Sequence, residues 1–198
     1  MAEGTGGATL EPSRAAVQYP GGLAARYRWV GSGRAESIAA LSEAGGTLTD
    51  HGSLVSPHPD RLCRAELRVE GPPGTWTARF ASPIFDQPTG LLWDTAGLLV
   101  VRYGFVAYAL ASRSGELRWS YSSRTPLVSL LGSSRLAHVI AQSEVTTVAL
   151  DPAGTVLWRV PHADVITEAE LVGGRLVLTT WGGLLQTLDP VTGGVLRG

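Results

Sequence analysis

The sequence contains no lysine, no asparagine and a single cysteine. All sixteen basic residues are arginine, which is typical of a GC-rich bacterial genome, because no physical requirement would keep lysine from every exposed position. The lone Cys63 cannot form an intramolecular disulfide, so a small secreted domain held together by disulfides is excluded. A net charge of −1 and a charged fraction of 17% indicate neither disorder nor a strongly basic protein that binds nucleic acid.

Long hydrophobic runs are also missing. No stretch approaches the roughly 20 apolar residues that a membrane span needs, and the amino terminus has neither the apolar core nor the positive flank of a secretory signal. We therefore predict a soluble cytoplasmic protein that does not bind membranes. Residues 1–22 are rich in glycine, alanine, proline and glutamate, a composition that predicts a flexible lead-in or a weakly held edge.

A turn-and-strand phrase recurs along the second half of the chain. It reads GELRW at 115–119, GTVLW at 154–158 and GGVLR at 193–197, so that its successive copies begin 39 residues apart. Each copy follows two apolar runs joined by a short polar link, a pattern that indicates a meander of β-strands. A period near 40 residues that contains several strands is the length of one β-propeller blade.

The repeats define the predicted fold and its boundaries. Residues 61–198 are predicted to form propeller-like repeats of about 39 residues, three clear and one degenerate, in a mainly β protein. In the degenerate unit, 65–80, Gly74 takes the place of Gly115. Residues 23–60 are predicted to be a β-α-β preface or a degenerate blade. Within them, the composition of 34–44 favours a helix that stops at Gly45, and a strand is the alternative.

The repeated phrase carries a family resemblance. The stretch TTVALDPAGTVLW at 146–158 resembles the repeats of PQQ-like, or quinoprotein-dehydrogenase-like, β-propellers, and the resemblance covers roughly residues 88–198. It implies that Trp119 and Trp158 are structural residues packed between blades. The chain departs from the pattern at Ala111, where the aspartate is missing, and at Arg197, where the tryptophan is missing. It also lacks a vicinal cysteine pair, so no cofactor is expected and the chain is predicted to be a small, non-catalytic member.

Few residues suggest a catalytic or metal-binding site. Asp50, His51 and Ser53 lie together in the sequence, but the members of a catalytic triad are normally assembled from separate segments. The four histidines and Cys63 show no paired ligand spacing, so no metal site is predicted. We predict that the protein is not an enzyme. The alternative is a propeller that binds or hydrolyses a small molecule near Asp50, His51 and Ser53.

The remaining function class is a protein-interaction scaffold, which propeller repeats often provide. Its layout resembles the compact propeller proteins encoded beside MoxR-type AAA+ ATPases, which implies an accessory role to an ATPase or another bacterial complex. The final repeat has no following blade or polar cap, so either the amino-terminal segment around Tyr27 and Trp29 folds back to close a small ring or another chain covers it. Of these, a protein partner or self-association as a homodimer is expected, and nucleic acid is not. The candidate interface residues are Tyr27, Trp29, Trp181 and Arg197.

Overall fold

The computed structural model describes residues 11–33, 47–51 and 58–196. Within these ranges sixteen strands form four sheets, and the helical content is limited to short 3-10 turns at Pro20–Gly22, Pro59–Arg61 and Asp94–Ala96. The prediction of a mainly β fold built from propeller-like repeats is confirmed. The predicted helix over 34–44 lies outside the described residues.

The first sheet contains five strands in the order β1-β2-β4-β5-β3. Its strands are antiparallel, except that β3 runs parallel to β5 at the outer edge. The strand bounds are β1 (Ser13–Tyr19), β2 (Leu23–Val30), β3 (Thr47–Asp50), β4 (Cys63–Gly71) and β5 (Gly74–Ser82).

The other three sheets are antiparallel meanders that follow the chain order. The second sheet consists of β6 (Thr89–Trp93), β7 (Leu98–Tyr103), β8 (Val106–Ala111) and β9 (Leu117–Ser122). The third consists of β10 (Leu127–Leu131), β11 (Val139–Ser143), β12 (Thr146–Leu150) and β13 (Val156–Pro161). The fourth consists of β14 (Ile166–Val172), β15 (Arg175–Thr180) and β16 (Leu185–Leu188). A single bridge from Leu188 to Val195 stands where the other sheets have a fourth strand.

Aspartate side chains shape the turns before the last strand of the repeats. The Asp151 carboxylate accepts hydrogen bonds from the backbone N–H groups of Ala153 and Thr155 at 2.9 and 2.8 Å. Asp189 accepts a hydrogen bond from the Val191 N–H at 2.8 Å, and this bond lowers the pKa of the Asp189 carboxyl. Local side-chain acceptors of this kind fix a tight turn, which explains why the phrase recurs.

The hydrophobic core is divided into three layers, one between each pair of consecutive sheets. Tyr27, Leu67 and Phe80 of the first sheet pack against Leu99 and Tyr108 of the second. Continuous apolar runs such as residues 98–101 are explained by this stacking, because a sheet between two others buries both of its faces. The first and fourth sheets are therefore the two ends of the stack.

The amino-terminal residues form part of the first sheet. Residues 13–22, predicted as part of a flexible lead-in or a weakly held edge, contain β1, which lies at one edge of this sheet and pairs along its whole length with β2. Residues 23–30, predicted as part of a β-α-β preface or a degenerate blade, contain β2, which pairs with β4 inside the same sheet. β1 carries little hydrophobic signal in the sequence, because it is polar on one face and exposed along most of its length.

Candidate functional site

A tryptophan packs on a glycine at each of the three sheet junctions. A Cβ atom added to Gly115, Gly154 or Gly193 would lie 2.5–2.7 Å from the indole of Trp76, Trp119 or Trp158, respectively. Each tryptophan lies on the last antiparallel strand of one sheet. Gly115 and Gly154 lie in the turn before the last strand of the next sheet, and Gly193 lies between β16 and the bridged residue Val195. All three glycines have φ between +72 and +82°, a region that glycine occupies without strain. Only glycine therefore fits these positions well.

The indole N–H groups of two of these tryptophans also donate hydrogen bonds to the turns that contain the glycines. Trp76 Nε1 donates to the Ser112 carbonyl and Trp119 Nε1 to the Pro152 carbonyl, both at 3.0 Å. At the third junction, the Pro190 carbonyl instead accepts from His138 Nε2 at 2.8 Å, and Trp158 Nε1 is buried without a partner among the described residues. Trp119 and Trp158 were predicted from the sequence, but Trp76 was not, because it follows Gly74 by two residues, whereas Trp119 and Trp158 follow Gly115 and Gly154 by four.

His51, from the predicted alternative site, lies inside the protein. Its ring is 6.0 Å from that of Phe80 and 6.4 Å from that of Tyr108, between the first and second sheets. Asp50 forms part of β3, and its backbone pairs with Arg79, whereas Ser53 lies outside the described residues. The described geometry thus places His51 in packing contacts and supplies no nucleophile beside it.

His162 connects the third and fourth sheets. Its Nε2 lies 2.6 Å from the Thr147 hydroxyl, and its Nδ1 lies 3.1 Å from Oε1 of Gln186 on β16. The Thr147 hydroxyl in turn donates to the side chain of Gln142, which is fully buried. Burial lowers the pKa of His162 below its usual 6.5, and the hydrogen bond with Gln186 opposes that shift. The folded state therefore favours the neutral form of the His162 ring.

The His162 pKa predicts a pH effect on stability. The folded state holds the pKa of His162 below 6.5. The contribution of the neutral His162 side chain to folding stability is therefore fully present above pH 6.5 and is lost as the pH falls through its pKa in the folded state. We expect the free energy of unfolding of the wild type to fall more than that of His162→Gln between about pH 7.5 and pH 5.5. Urea denaturation at both pH values measures the difference. Equal losses in the two proteins would contradict the prediction.

A cleft of about 280 Å³ lies between the second and third sheets, at the loops that follow their first strands. Its lining includes Trp93, Asp94, Ser133 and His138. His138 is buried and uses its Nε2 hydrogen on the Pro190 carbonyl, so that nitrogen is not available to a ligand. No group of three histidine, cysteine, aspartate or glutamate side chains suited to a metal ion occurs in residues 11–33, 47–51 and 58–196.

The outer face of the first sheet is charged. Successive outward positions on β1, β2, β4 and β5 alternate with core residues, and arginine and glutamate occupy most of them. Glu66 is buried there, 3.6 Å from Arg28 and 3.5 Å from Arg79. The first-sheet face, as we call it, carries Arg14, Arg26, Arg28, Arg64, Arg68, Arg79, Glu66 and Glu70.

The outer face of the fourth sheet is different. The turn at its edge exposes Trp181 and Leu184 by 80 and 70%, and the adjoining Leu185 is 71% exposed. The corresponding faces of the second and third sheets are covered by the next sheet. The fourth-sheet face, so named here, consists of Glu168, Glu170, Arg175, Val177, Thr179, Leu185 and Thr187, with Trp181 and Leu184 at its margin.

The structure separates the four predicted interface residues. Trp181 is exposed, so it remains a candidate. Tyr27 and Trp29 are corrected to core residues, since both are buried against the second sheet and have no free surface to offer. Burial also raises the pKa of the Tyr27 hydroxyl, which lies 3.4 Å from that of Tyr19. Arg197 lies outside the described residues.

Comparisons with known proteins identify the class of fold. No family model matches the sequence, and no curated protein matches it. The computationally designed protein Ika8 is similar in structure, with a TM-score of 0.52, 14% identity, and coverage of 69% of this chain and 45% of that one. The dihydro-heme d1 dehydrogenase NirN gives a TM-score of 0.50, 15% identity, and coverage of 72 and 35%.

A third similar structure is BamB from Moraxella catarrhalis, with a TM-score of 0.46, 20% identity, and coverage of 60% of this chain and 38% of that one. The chain thus spans less than half the length of these three structures. The similarities show a β-propeller fold, of which this chain forms four consecutive sheets. In the described part of the chain no helix is long and apolar enough to cross a bilayer.

Proposed function

We propose that the protein is a non-enzymatic interaction scaffold that binds its partner through the fourth-sheet face. The observation that carries this proposal is the exposure of Trp181, Leu184 and Leu185 together at one end of the stack. Clustered large apolar side chains on a protein surface mark interaction sites, and tryptophan is enriched among the residues that dominate binding energy. The corresponding faces of the second and third sheets are each covered by the next sheet.

Two finer assignments belong to this proposal. The tryptophan-on-glycine contacts support membership of the PQQ-like repeat family, because the family resemblance places a closing tryptophan between blades. An accessory role in a bacterial ATPase complex, in the cytoplasm, rests only on the resemblance of layout. For the alternative hydrolytic function, the packing of His51 between Phe80 and Tyr108 offers no support.

Replacement of one exposed leucine tests the scaffold. Leu185→Arg is expected to reduce partner binding at least tenfold, because an arginine at the centre of an apolar contact removes buried area and must be desolvated. The partner is obtained by affinity purification with the wild type, and its dissociation constant is then measured with purified components. Leu157→Arg, at an exposed leucine on the last strand of the third sheet, is the matched control. Equal affinity for both variants would overturn the fourth-sheet face as the binding surface.

A further inference from the structure

The two end faces of the stack differ in charge. On β1, β2, β4 and β5 the first-sheet face carries six arginines and two glutamates, a formal balance of +4 on these four strands. The fourth-sheet face carries two glutamates and one arginine, a balance of −1. Its acidic residues, Glu168 and Glu170, are both exposed on β14. Opposite charge on two surfaces favours their association and sets its orientation.

The exposed charged residues of the two end faces also lie on the same side of their sheets, on or next to the first strand. At the internal junctions the first strand of the third sheet, β10, contacts β6 and β7 on one side and β14 on the other. First strands of neighbouring sheets therefore meet. Arg14 lies on β1 and Arg26 on β2, with side chains 62 and 61% exposed, whereas Glu168 and Glu170 lie on β14. A fourth-sheet face set against a first-sheet face would bring the two acids to the two open arginines.

We propose that two copies of the chain associate head to tail, the fourth-sheet face of each packing on the first-sheet face of the other. This proposal rests on the proposed function and names its partner as a second copy. Arginine stems cover apolar surface while their charged ends stay solvated, so Arg26 and its neighbours suit Trp181 and Leu185 as well as the glutamates. Two copies arranged in this way cover both open ends, which a single contact would not.

A pair of charge reversals tests the arrangement. One variant, Glu168→Arg with Glu170→Arg, makes both end faces positive, and the other, Arg14→Glu with Arg26→Glu, makes the first-sheet face less positive and opposes glutamate to glutamate. Sedimentation velocity and light scattering on the full chain, at micromolar concentrations and low salt, are expected to give dimers for the wild type and monomers for each variant. Circular dichroism checks that both variants remain folded.

The decisive measurement mixes the two variants. In a mixed pair both junctions become complementary again, so an equimolar mixture is expected to restore the dimer, and high salt is expected to weaken it. A defect in folding could not produce this rescue. A dimer of the Arg14→Glu, Arg26→Glu variant alone would overturn the proposal in favour of a symmetric contact between two fourth-sheet faces.

Two other outcomes separate this proposal from the scaffold function. A wild type that stays monomeric at all concentrations overturns the head-to-tail pair, and if Leu185→Arg still loses its partner, the scaffold function stands alone. The first-sheet face could also bind a nucleic acid. Binding of a single-stranded oligonucleotide that is lost in Arg14→Glu, Arg26→Glu, together with a monomeric wild type, would overturn the pairing in favour of that function.

Discussion

Trp119→Ala and Trp158→Ala are each expected to lower the free energy of unfolding by about 3–5 kcal/mol, the range found for large aromatic side chains removed from packed sites. Both variants belong at the lower end of this range, because Trp119 and Trp158 are each only partly buried. For Trp119→Ala the loss includes the contact of the indole with Gly154 and its hydrogen bond to the Pro152 carbonyl. Urea denaturation at neutral pH measures the effect. Trp181→Ala, at an exposed indole, is the matched control and should change stability by no more than about 0.5 kcal/mol.

The glycine partner supplies an independent check. Gly154→Ala places a Cβ 2.7 Å from Cγ of Trp119 at a φ of +82°, so it adds a clash to the backbone strain. Gly97→Ala has a φ of +66° but meets nothing within 4 Å, and it isolates the strain alone. In the Trp119→Ala background the ring is gone but the Cβ of residue 119 remains 2.9 Å away, so Gly154→Ala should cost less than in the wild type and somewhat more than Gly97→Ala. Additive losses would show that the indole does not hold this turn.

The repeats were predictable because one physical requirement recurs in each of them. A turn with positive φ needs glycine, and the tryptophan of the neighbouring sheet fills the space that the missing Cβ leaves. In two of the three repeats an aspartate, Asp151 or Asp189, also fixes the turn, whereas the first has Ala111 at that position. These constraints keep Gly154 and Trp158 in register with the equivalent residues 39 positions away. Trp76 was missed because its hairpin, with Gly74 at a φ of +132°, has a different length and breaks that register.

The ends of the stack were harder to infer from sequence. Arg64, Glu66, Arg68 and Glu70 alternate with buried residues, which is a strand signal. Residues 65–80 were predicted as a degenerate repeat from the position of Gly74, but nothing in that pattern indicated an end face of the stack. The short β3 pairs in parallel with β5 across a long stretch of intervening sequence, and no local pattern reports such a contact. The fourth-sheet face was expected from its leucines. However, Leu176 and Leu178 turn inward to the third sheet, and only Leu184 and Leu185 of that group are open.

The charged end is expected to be as sensitive as the aromatic contacts. Glu66→Gln should lower the free energy of unfolding by about 3 kcal/mol, the lower end of the range for removing one partner of a buried ion pair. The variant keeps the shape of the side chain but leaves Arg28 and Arg79 facing each other without an anion between them. The lower value applies because side chains of Arg28 and Arg79 retain 13 and 26% exposure, so water still solvates part of their charge.

Glu70→Gln is the matched control for this prediction. Glu70 pairs with Arg68 at 2.9 Å and with Arg26 at 3.2 Å on the same face, but it is more exposed than Glu66, and exposed pairs contribute little. Its pKa is lowered mainly by the hydrogen bond from Arg68. Urea denaturation of both variants at pH 7 should therefore separate them clearly. Equal stabilities of the two variants would mean that water reaches Glu66 as freely as Glu70. The first-sheet face would then be an ordinary solvated surface, and only the packed inner face would stabilise the first sheet.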